Sequence, residues 1–556
     1  MNQETQTSSV EKIKKESRGL RGSIVDGLNN EISGAIGEAD QTIIKFHGMY
    51  QQDDRDRRVE RAQKKLDRLY SFMIRLRLPG GGLRSEQWIA TDRIAREYAT
   101  GTIKITTRQT LQLHGIIKSK IKPTVRAFDL ARLDSIATCG DVNRNVLCST
   151  HPKKSPTYEE VESYADAISK LLIPKTRSYY EIWLDEEKIS EKTEEDPLYQ
   201  DHYLPRKFKI AIAIPPNNDV DVLTNDIGLI AIVEDSRLKG FNIAIGGGLS
   251  TTHGNPSTYA RLGTVLGFVE SGEKTLKSVY EVLTIQRDYG NRSNRKLARL
   301  KYTLDRYGAP WFKEELERRT GFVLEAVRPY VFTERRDHFG WHQDYKGLFH
   351  YTIFVENGRV LDDPELPMKT ALLKVAESGK AQFRFTCHQN VILSDILLED
   401  RLQIQGILEE YGIVTREKKL SPIRKNSMAC VAFNTCPLAL AEGQRYLPTL
   451  ISKIELLLDK YNLSDEEIII RMTGCPNGCA RPYVAEIGLV GLAYGRYNLY
   501  LGADRQGTRL NKLYKKDLYE TAILELLDVF LAAFKEERFF GESFGDFALR
   551  KRWITI

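Results

Sequence analysis

The sequence predicts an α+β (mixed α/β) protein built by internal duplication, and three ordered self-matches carry that expectation. Ile103-Lys-Ile-Thr-Thr-Arg-Gln-Thr-Leu-Gln-Leu-His-Gly-Ile116 pairs with Phe383-Arg-Phe-Thr-Cys-His-Gln-Asn-Val-Ile-Leu-Ser-Asp-Ile396, which sets Gln109 on Gln389. Asn225-Asp-Ile-Gly-Leu-Ile230 then pairs with Ala485-Glu-Ile-Gly-Leu-Val490, and Gly240-Phe-Asn-Ile-Ala-Ile-Gly246 with Arg496-Tyr-Asn-Leu-Tyr-Leu-Gly502. One such match between β-rich segments could be chance; three in the same order point to a repeated fold. The matched segments alternate apolar and polar residues as strands do. Helical stretches such as Tyr158 to Leu172 fall between them, which sets the mixed class.

A chain of 556 residues is long enough for several domains with ample core. Its formal net charge of +7, spread over 82 basic and 75 acidic residues, is too mild to argue for nucleic acid and suits an anionic ligand. No run reaches transmembrane length. The most apolar stretch, Ala522 to Phe534, carries Glu525 and Asp528 at helical intervals and reads as an amphipathic surface helix. Met1 to Gly19 is polar and lacks the apolar segment of a signal peptide, so the expectation is a cytoplasmic protein. The first forty residues read as a poorly packed polar arm.

Four of the seven cysteines fall into two short pairs, Cys430-Val-Ala-Phe-Asn-Thr-Cys436 and Cys475-Pro-Asn-Gly-Cys479. Four soft thiolates at C-x5-C and C-x3-C spacing read as the cage of a [4Fe–4S] cluster. Zinc is the first rival, but zinc ribbons show C-x2-C knuckles and neither pair does. A disulfide framework is the second, disfavoured by so few cysteines in so long a chain. Cys139, Cys148 and Cys387 read as unconnected buried thiols. Pro437 suits the first turn of a helix, which predicts Cys436 at a helix N-terminus, followed by Leu447, Leu450, Ile451, Ile454 and Leu457 at helical spacing. The second pair follows a strand-like run, Glu467 to Met472, and is bent by Pro476-Asn477-Gly478.

In the duplicated register this second pair falls on Pro215-Pro-Asn-Asn218, just past the basic stretch Lys207-Phe-Lys209. One half keeps the redox site and the other turns the neighbouring region to basic chemistry, so two facing lobes would enclose a cofactor between them. The run Gly246-Gly-Gly248 lacks the order of a dinucleotide fingerprint, and no segment reads as a flavin or nicotinamide domain. Electrons must then come from another protein.

The chain resembles the hemoprotein (β) subunits of assimilatory sulfite reductases, within the sirohaem-dependent nitrite and sulfite reductase family. The resemblance runs nearly end to end. It rests on Phe46-His-Gly-Met-Tyr-Gln-Gln-Asp-Asp-Arg55, Arg75-Leu-Arg-Leu-Pro-Gly-Gly81, Thr107-Arg-Gln-Thr110, Asn143-Arg-Asn-Val-Leu-Cys148, Pro205-Arg-Lys-Phe-Lys209 and the four cysteines. The first and fourth of these segments look like the sulfite rather than the nitrite branch. The resemblance implies one sirohaem and one [4Fe–4S] cluster held by Cys430, Cys436, Cys475 and Cys479, with Cys479 also bridging to the sirohaem iron. It implies a six-electron reduction of sulfite to sulfide for cysteine biosynthesis, with Arg75, Arg144, Lys207 and Lys209 as the catalytic cations. Lys207 and Lys209 stand i and i+2 ahead of the apolar run Ile210-Ala-Ile-Ala-Ile214, hence on one face. Two like charges there are awkward unless an anion sits between them.

For the sirohaem carboxylates the assigned partners are Arg108, Gln112 and His114, which alternate along one strand, with Asn143 and the basic cluster Asn291, Arg292 and Arg295 at a helix start. A solvated helix face is the competing reading for that cluster. His47 reads as a hydrogen-bonded core histidine. The resemblance further implies a central ferredoxin-like domain from residues 73–137 and 339–415, behind an N-terminal arm and wrapping segment, 1–72. Residues 138–338 would form the first sirohaem-binding lobe and 416–556 the second, cysteine-bearing lobe. The implied donor is a flavoprotein subunit that oxidises NADPH and carries FAD and FMN, with ferredoxin as the alternative. No nucleic acid or membrane partner is implied. The competing functions are a sirohaem nitrite reductase and a non-catalytic iron–sulfur carrier or sensor.

Overall fold

The computed structural model describes residues 7–150, 153, 155–187 and 196–555, and among these the strands form four five-stranded sheets. The first runs Met49–Asp53, Tyr70–Arg75, Leu111–Ile116, Ile103–Ile105 and Arg359–Val360, in spatial order. The second repeats it as Gly340–Gln343, Phe349–Ile353, Val391–Ile396, Gln382–Phe385 and Gly82–Leu83. The fifth strand of each sheet is thus lent by the other half of the chain. Leu83 stands opposite Phe383, and Val360 opposite Ile103. Both crossovers pass so close to the neighbouring strand that only glycine fits. A Cβ on Gly81 (φ 79°) would lie 2.6 Å from the Phe385 carbonyl oxygen, and one on Gly358 (φ 68°) 2.2 Å from that of Ile105. The helices Ser85–Tyr98 and Met368–Ser378 pack together over the exchange, with Trp88 stacked on Phe383 at 4.8 Å.

Gln109 and Gln389, matched in sequence, occupy the same hairpin turn. In one, the Thr106 N–H donates to Thr110 O at 2.8 Å and Gln109 N–H to Thr106 O at 3.1 Å; in the other, Thr386 and Gln389 repeat this at 3.0 and 3.1 Å. Both glutamines are left-handed, at φ 51° and 70°.

The remaining two sheets are also copies. Leu147–Cys148, Ile210–Ala213, Ile227–Glu234, Arg237–Ile245 and Thr264–Glu270 make one. Ser427–Ala429, Ile470–Thr473, Ile487–Ala493, Arg496–Leu501 and Lys512–Leu518 make the other. In each the first two pairings are parallel and the last two antiparallel. Ile210 pairs with Ile227 as Ile470 pairs with Ile487, so the lobes superpose at an offset of 260 residues. The duplicated α+β class is what the sequence predicts. Helix Glu520–Glu537 buries Ile523, Leu527, Phe530, Leu531 and Phe534 while Asp528 pairs outward with Lys460, the amphipathic surface helix expected. Among the described residues no helix is long and apolar enough to cross a membrane.

Two local expectations fail. The polar arm, whose first six residues lie outside the described ones, is anchored at several buried points although about half of its described residues are exposed. Lys14 is buried, with its ammonium 2.5 Å from Glu11 Oε1 and 2.7 Å from the Leu204 carbonyl oxygen. Ile24, Ile36 and Ile43 are buried behind it. Buried Glu11 and Lys14 pair with each other and with the first lobe, so at these anchor points polarity did not mean exposure. Nor does Cys436 sit at a helix N-terminus: residues 437–446 form turns, and the helix begins at Leu447. The Leu440 and Ala441 N–H groups both donate to Gly474 O, at 2.7 and 3.1 Å, which ties the segment to the second cysteine loop instead.

Candidate active site

Both cysteine loops leave the C-terminal ends of neighbouring parallel strands, Ser427–Ala429 and Ile470–Thr473, which is why they meet. The Cys430 N–H donates to Met472 O at 3.2 Å, and the Gly474 N–H to Cys430 Sγ at 3.4 Å. Burial comes first, and the neighbouring thiolates next, in raising the thiols of Cys430, Cys436 and Cys475, the last to about 12. Sulfurs that repel one another's negative charge need a bound cation to ionise together. A zinc ion would draw its four sulfurs to within about 3.8 Å of one another, given Zn–S distances of about 2.3 Å. Among the described residues no three His, Cys, Asp or Glu side chains are grouped as ligands of a single ion. Four thiolates are the soft donor set that an iron–sulfur cluster takes.

Cys479 is exposed, and it opens into a cavity between the lobes whose lining includes Lys207, Lys209, Arg108, Arg299 and Asn225. Lys207 and Lys209 lie just ahead of strand Ile210–Ala213, on either side of Phe208, which is bridged to Asn143. Both face the cavity, and neither ammonium has a hydrogen-bonding or carboxylate partner among the described residues. Burial, then the Arg206 and Arg299 guanidinium groups, pull Lys207 down to about 7. Burial and then Lys207 hold Lys209 well below the usual lysine range. The nearby carboxylate, Asp226, is already engaged by Arg299 at 2.7 and 3.1 Å.

Arg75 and Arg144 stand side by side at the Thr138 carbonyl oxygen, which their Nη1 groups reach at 3.5 and 3.2 Å. Arg144 also donates to Gly140 O at 2.7 and 2.9 Å, and its charge reaches Lys207. Arg75 Nη2 donates to Gln112 Oε1 at 2.9 Å. Gln112 Nε2 in turn stands 3.0 Å from His114 Nε2, and His114 Nδ1 stands 2.9 Å from Gln52 Oε1. Burial, then Lys104 and Arg75, hold the His114 imidazole neutral down to about 3. Arg108 donates to Asn225 Oδ1 at 3.2 Å, yet among the described residues its buried Nε has no partner, nor has Asn143 Oδ1. Such orphaned groups suit a polar ligand.

The basic cluster Asn291, Arg292 and Arg295 is held by partners of its own, although the Arg295 charge reaches Arg206 and Tyr50. Arg292 is bonded to Glu11 and to the carbonyl oxygens of Tyr203 and Arg287. Arg295 is bidentate to Asp141 at 2.7 and 2.9 Å, and Asn291 Oδ1 accepts the Ser293 and Asn294 N–H groups. These residues anchor the N-terminal segment to the first lobe. His47 is the core histidine expected, 2.8 Å from Trp183 Nε1 and 3.0 Å from Leu20 O, with burial lowering it to about 4. Cys139, Cys148 and Cys387 are buried, as expected. Sequence reasoning missed Arg299, Arg206 and Lys301. The available signal was a pair of cations, Arg299 and Lys301, framed by the buried Ala298 and Leu300. Tyr50 was also missed; it lies close enough to Arg75 and Arg144 for their charges to act on its phenol.

Residues 163–324 match the family described as the nitrite and sulphite reductase 4Fe-4S domain. Residues 63–131 and 342–411 each match the nitrite/sulfite reductase ferredoxin-like half domain, and they fall on the two strand-exchanged sheets. The 4Fe-4S match falls on the first lobe, while the four cysteines lie in its copy. A Leptospira biflexa protein named sulfite reductase [NADPH] hemoprotein beta-component is 62% identical over 97% of this chain and 98% of its own. Proteins of the same name from Geobacillus thermodenitrificans and Staphylococcus haemolyticus are 50% and 52% identical, each over 98% of this chain and 95% and 94% of their own. The solved structure of the Mycobacterium tuberculosis NirA protein superposes with a TM-score of 0.80 at 25% identity, covering 99% of this chain and 97% of that one.

Proposed function

The chain belongs to the nitrite and sulphite reductase family, and from that premise we propose that it reduces sulfite to sulfide, using a sirohaem coupled to a [4Fe–4S] cluster. One observation carries the reading: Cys479, the last of four gathered cysteines, opens into a cavity walled by unpaired lysines. Cys430, Cys436, Cys475 and Cys479 would hold the cluster, and Cys479 would also face the haem iron. Held there, a sirohaem and a cluster would supply the electrons for sulfite reduction one at a time. Arg108 and Asn143 would meet the sirohaem carboxylates, the orphaned Arg108 Nε among the donors, while Gln112 and His114, bonded in a chain from Arg75 to Gln52, would hold Arg75 in place instead.

The chain's own part is to gather an oxyanion and to deliver protons. Arg75 and Arg144 offer permanently charged forks, while Lys207 and Lys209 sit where their charge can change. With Lys207 held near 7, an arriving anion favours its protonated form, and that proton is then at hand for an oxygen leaving as water. Six protons are consumed per sulfide, so ammonium groups that refill from water near neutral pH suit the reaction.

The donor we propose is an NADPH-oxidising flavoprotein subunit, in line with the relatives' name; ferredoxin is the alternative. The proposed division keeps residues 73–137 and 339–415 as the central domain, 138–338 and 416–556 as lobes, and a cytoplasmic setting. The test is the absorption spectrum of the purified chain. The intense chlorin-type bands of sirohaem are expected, with iron and sulfide in a 4:4 excess over haem iron. A colourless protein, or one holding only zinc, ends the reading. Viologen-driven turnover of sulfite against nitrite then decides between the two branches of the family.

A further inference from the structure

The surface over Cys436 is apolar and open. Leu438 is 60% exposed, Leu440 41% and Tyr494 78%, with the Phe433 ring 6.2 Å from that of Tyr494. Scattered exposed apolar residues are ordinary, but here they gather on the loops around one half-buried cysteine of the cluster cage. Arg55 ties this loop to a basic helix. Its guanidinium lies 4.4 Å over the Phe433 ring and donates to the carbonyl oxygens of Cys436 (3.1 Å) and Ala439 (2.6 Å). Its backbone N–H donates to Asn434 O at 3.2 Å.

From there the chain enters helix Arg58–Gln63. Residues 55–68 carry seven Lys or Arg against three Asp or Glu, and Val59 and Leu66 stand exposed among them. Of the acids, Asp56 is paired with Arg445, and Glu60 with Arg57 and Lys64. Arg61, Lys65 and Arg68 have no carboxylate partner among the described residues. The patch is thus apolar over the cysteine loop and positive along one flank, the complement of an apolar spot ringed by carboxylates.

We propose that this surface docks the electron donor: an acidic protein whose flavin edge lies exposed at the centre of a carboxylate rim. The proposal rests on the assigned function, since it needs a cluster behind Cys436. At each encounter the reduced flavin gives up one electron and the cluster gains it, with no covalent bond made or broken. The apolar residues exclude water from the contact, and the basic flank steers the approach.

The test uses the cofactor-loaded protein and, as probe, the flavoprotein subunit of an NADPH-dependent sulfite reductase. In the R61E/K65E/R68E variant its affinity should fall at least ten-fold, with a shallower salt dependence. Sulfite reduction driven by NADPH and subsaturating flavoprotein should fall by a similar factor. Reduction driven by methyl viologen, which needs no docking face, should be unchanged. Tyr494→Ala keeps every charge and should weaken binding without altering the salt dependence. Unchanged affinity in both variants overturns the proposal, and so does a parallel fall of the flavoprotein-driven and viologen-driven rates. A wild-type protein that bound the flavoprotein but reduced no sulfite with viologen would instead overturn the assigned function and leave the docking face standing.

Discussion

Asp221 and Arg481 hold the same position in the two lobes, 260 residues apart, and they are paired with each other. Arg481 Nε lies 2.5 Å from Asp221 Oδ2. Each residue is left-handed, at φ 48° and 55°, and each precedes a single 3-10 turn. The duplicated positions have diverged to opposite charge, and the pair bolts the copies together across their shared face. Arg471 and Arg335 join the same carboxylate at 2.7 and 3.0 Å, and all four groups are buried. The three guanidinium groups hold the Asp221 carboxyl far below the usual carboxylate range against the opposing effect of burial. Arg481 also donates to Thr107 O and Cys387 O, at 3.0 and 2.8 Å, only two residues beyond Cys479.

Removing that one negative charge leaves three buried cations without a counter-charge. Breaking a buried pair in this way costs about 3–5 kcal/mol. Asp221→Asn should therefore lower the urea midpoint sharply and shed cluster iron, since the Cys479 loop loses its anchor. Urea titration and iron analysis of the same preparation check both. A stable variant with full iron content would mean that the lobes are held elsewhere.

The pH dependence of substrate capture should report Lys207. Its folded value near 7 means that the charged form prevails below that pH and the neutral form above it. Sulfite needs the charged form, so kcat/KM should fall as pH rises through about 7. Lys207→Arg keeps the charge at every pH, and that limb should vanish from the profile. The same variant loses a proton that can be given up, so kcat should drop about 100-fold, the lower range for general acid catalysis. Chlorin bands should persist, separating loss of chemistry from loss of cofactor.

The duplication was legible because its echoes are strands, whose apolar alternation survives divergence. The exchanged strands Gly82–Leu83 and Arg359–Val360 were not, since two residues carry no periodicity. That the two cysteine loops meet agrees with the reading of their spacing, but the turn after Cys436 was not legible. Pro437 favours a helix locally, and the two hydrogen bonds to Gly474 O override it. Charge clusters were not legible as sites for a different reason. Sequence shows that Arg292 and Arg295 are cationic, whereas their partners, Glu11 and Asp141, are about 280 and 150 residues away and decide their role. Arg299 and Lys301 went unnoticed because a cation within an apolar frame looks like an ordinary helix start until burial is known.

Cysteine substitution should divide sharply by site. Cys479→Ser should lose cluster iron and all sulfite turnover, because a serine oxygen is a poor ligand for a site built on soft thiolates. Cys148→Ser lies in a buried strand, where Gln109 is bonded to the backbone N–H and carbonyl of Cys148 rather than to its thiol. It should keep iron, colour and turnover, and lose about 1–2 kcal/mol of stability by burying a hydroxyl. Iron quantitation, the visible spectrum and a urea titration of both variants make the comparison. Equal behaviour would mean that the cage has been drawn around the wrong sulfurs.

The chain of hydrogen bonds from Arg75 fixes the state of His114, and with it a last expectation. Gln112 Oε1 accepts from Arg75, so its amide N–H must donate to His114 Nε2. Nε2 is then an acceptor, and the ring proton sits on Nδ1, donated to Gln52 Oε1. A neutral imidazole is required, consistent with burial keeping it uncharged down to about 3. His114→Ala leaves the Gln112 amide without its acceptor, free to turn its N–H groups toward Arg75 and push the guanidinium out of line. KM for sulfite should rise about ten-fold, roughly the 1.4 kcal/mol of one displaced charge-assisted hydrogen bond. His114→Asn, whose side-chain oxygen can accept from Gln112, should recover part of the loss. If both variants instead lost kcat at unchanged KM, His114 would be acting on the chemistry rather than through Arg75.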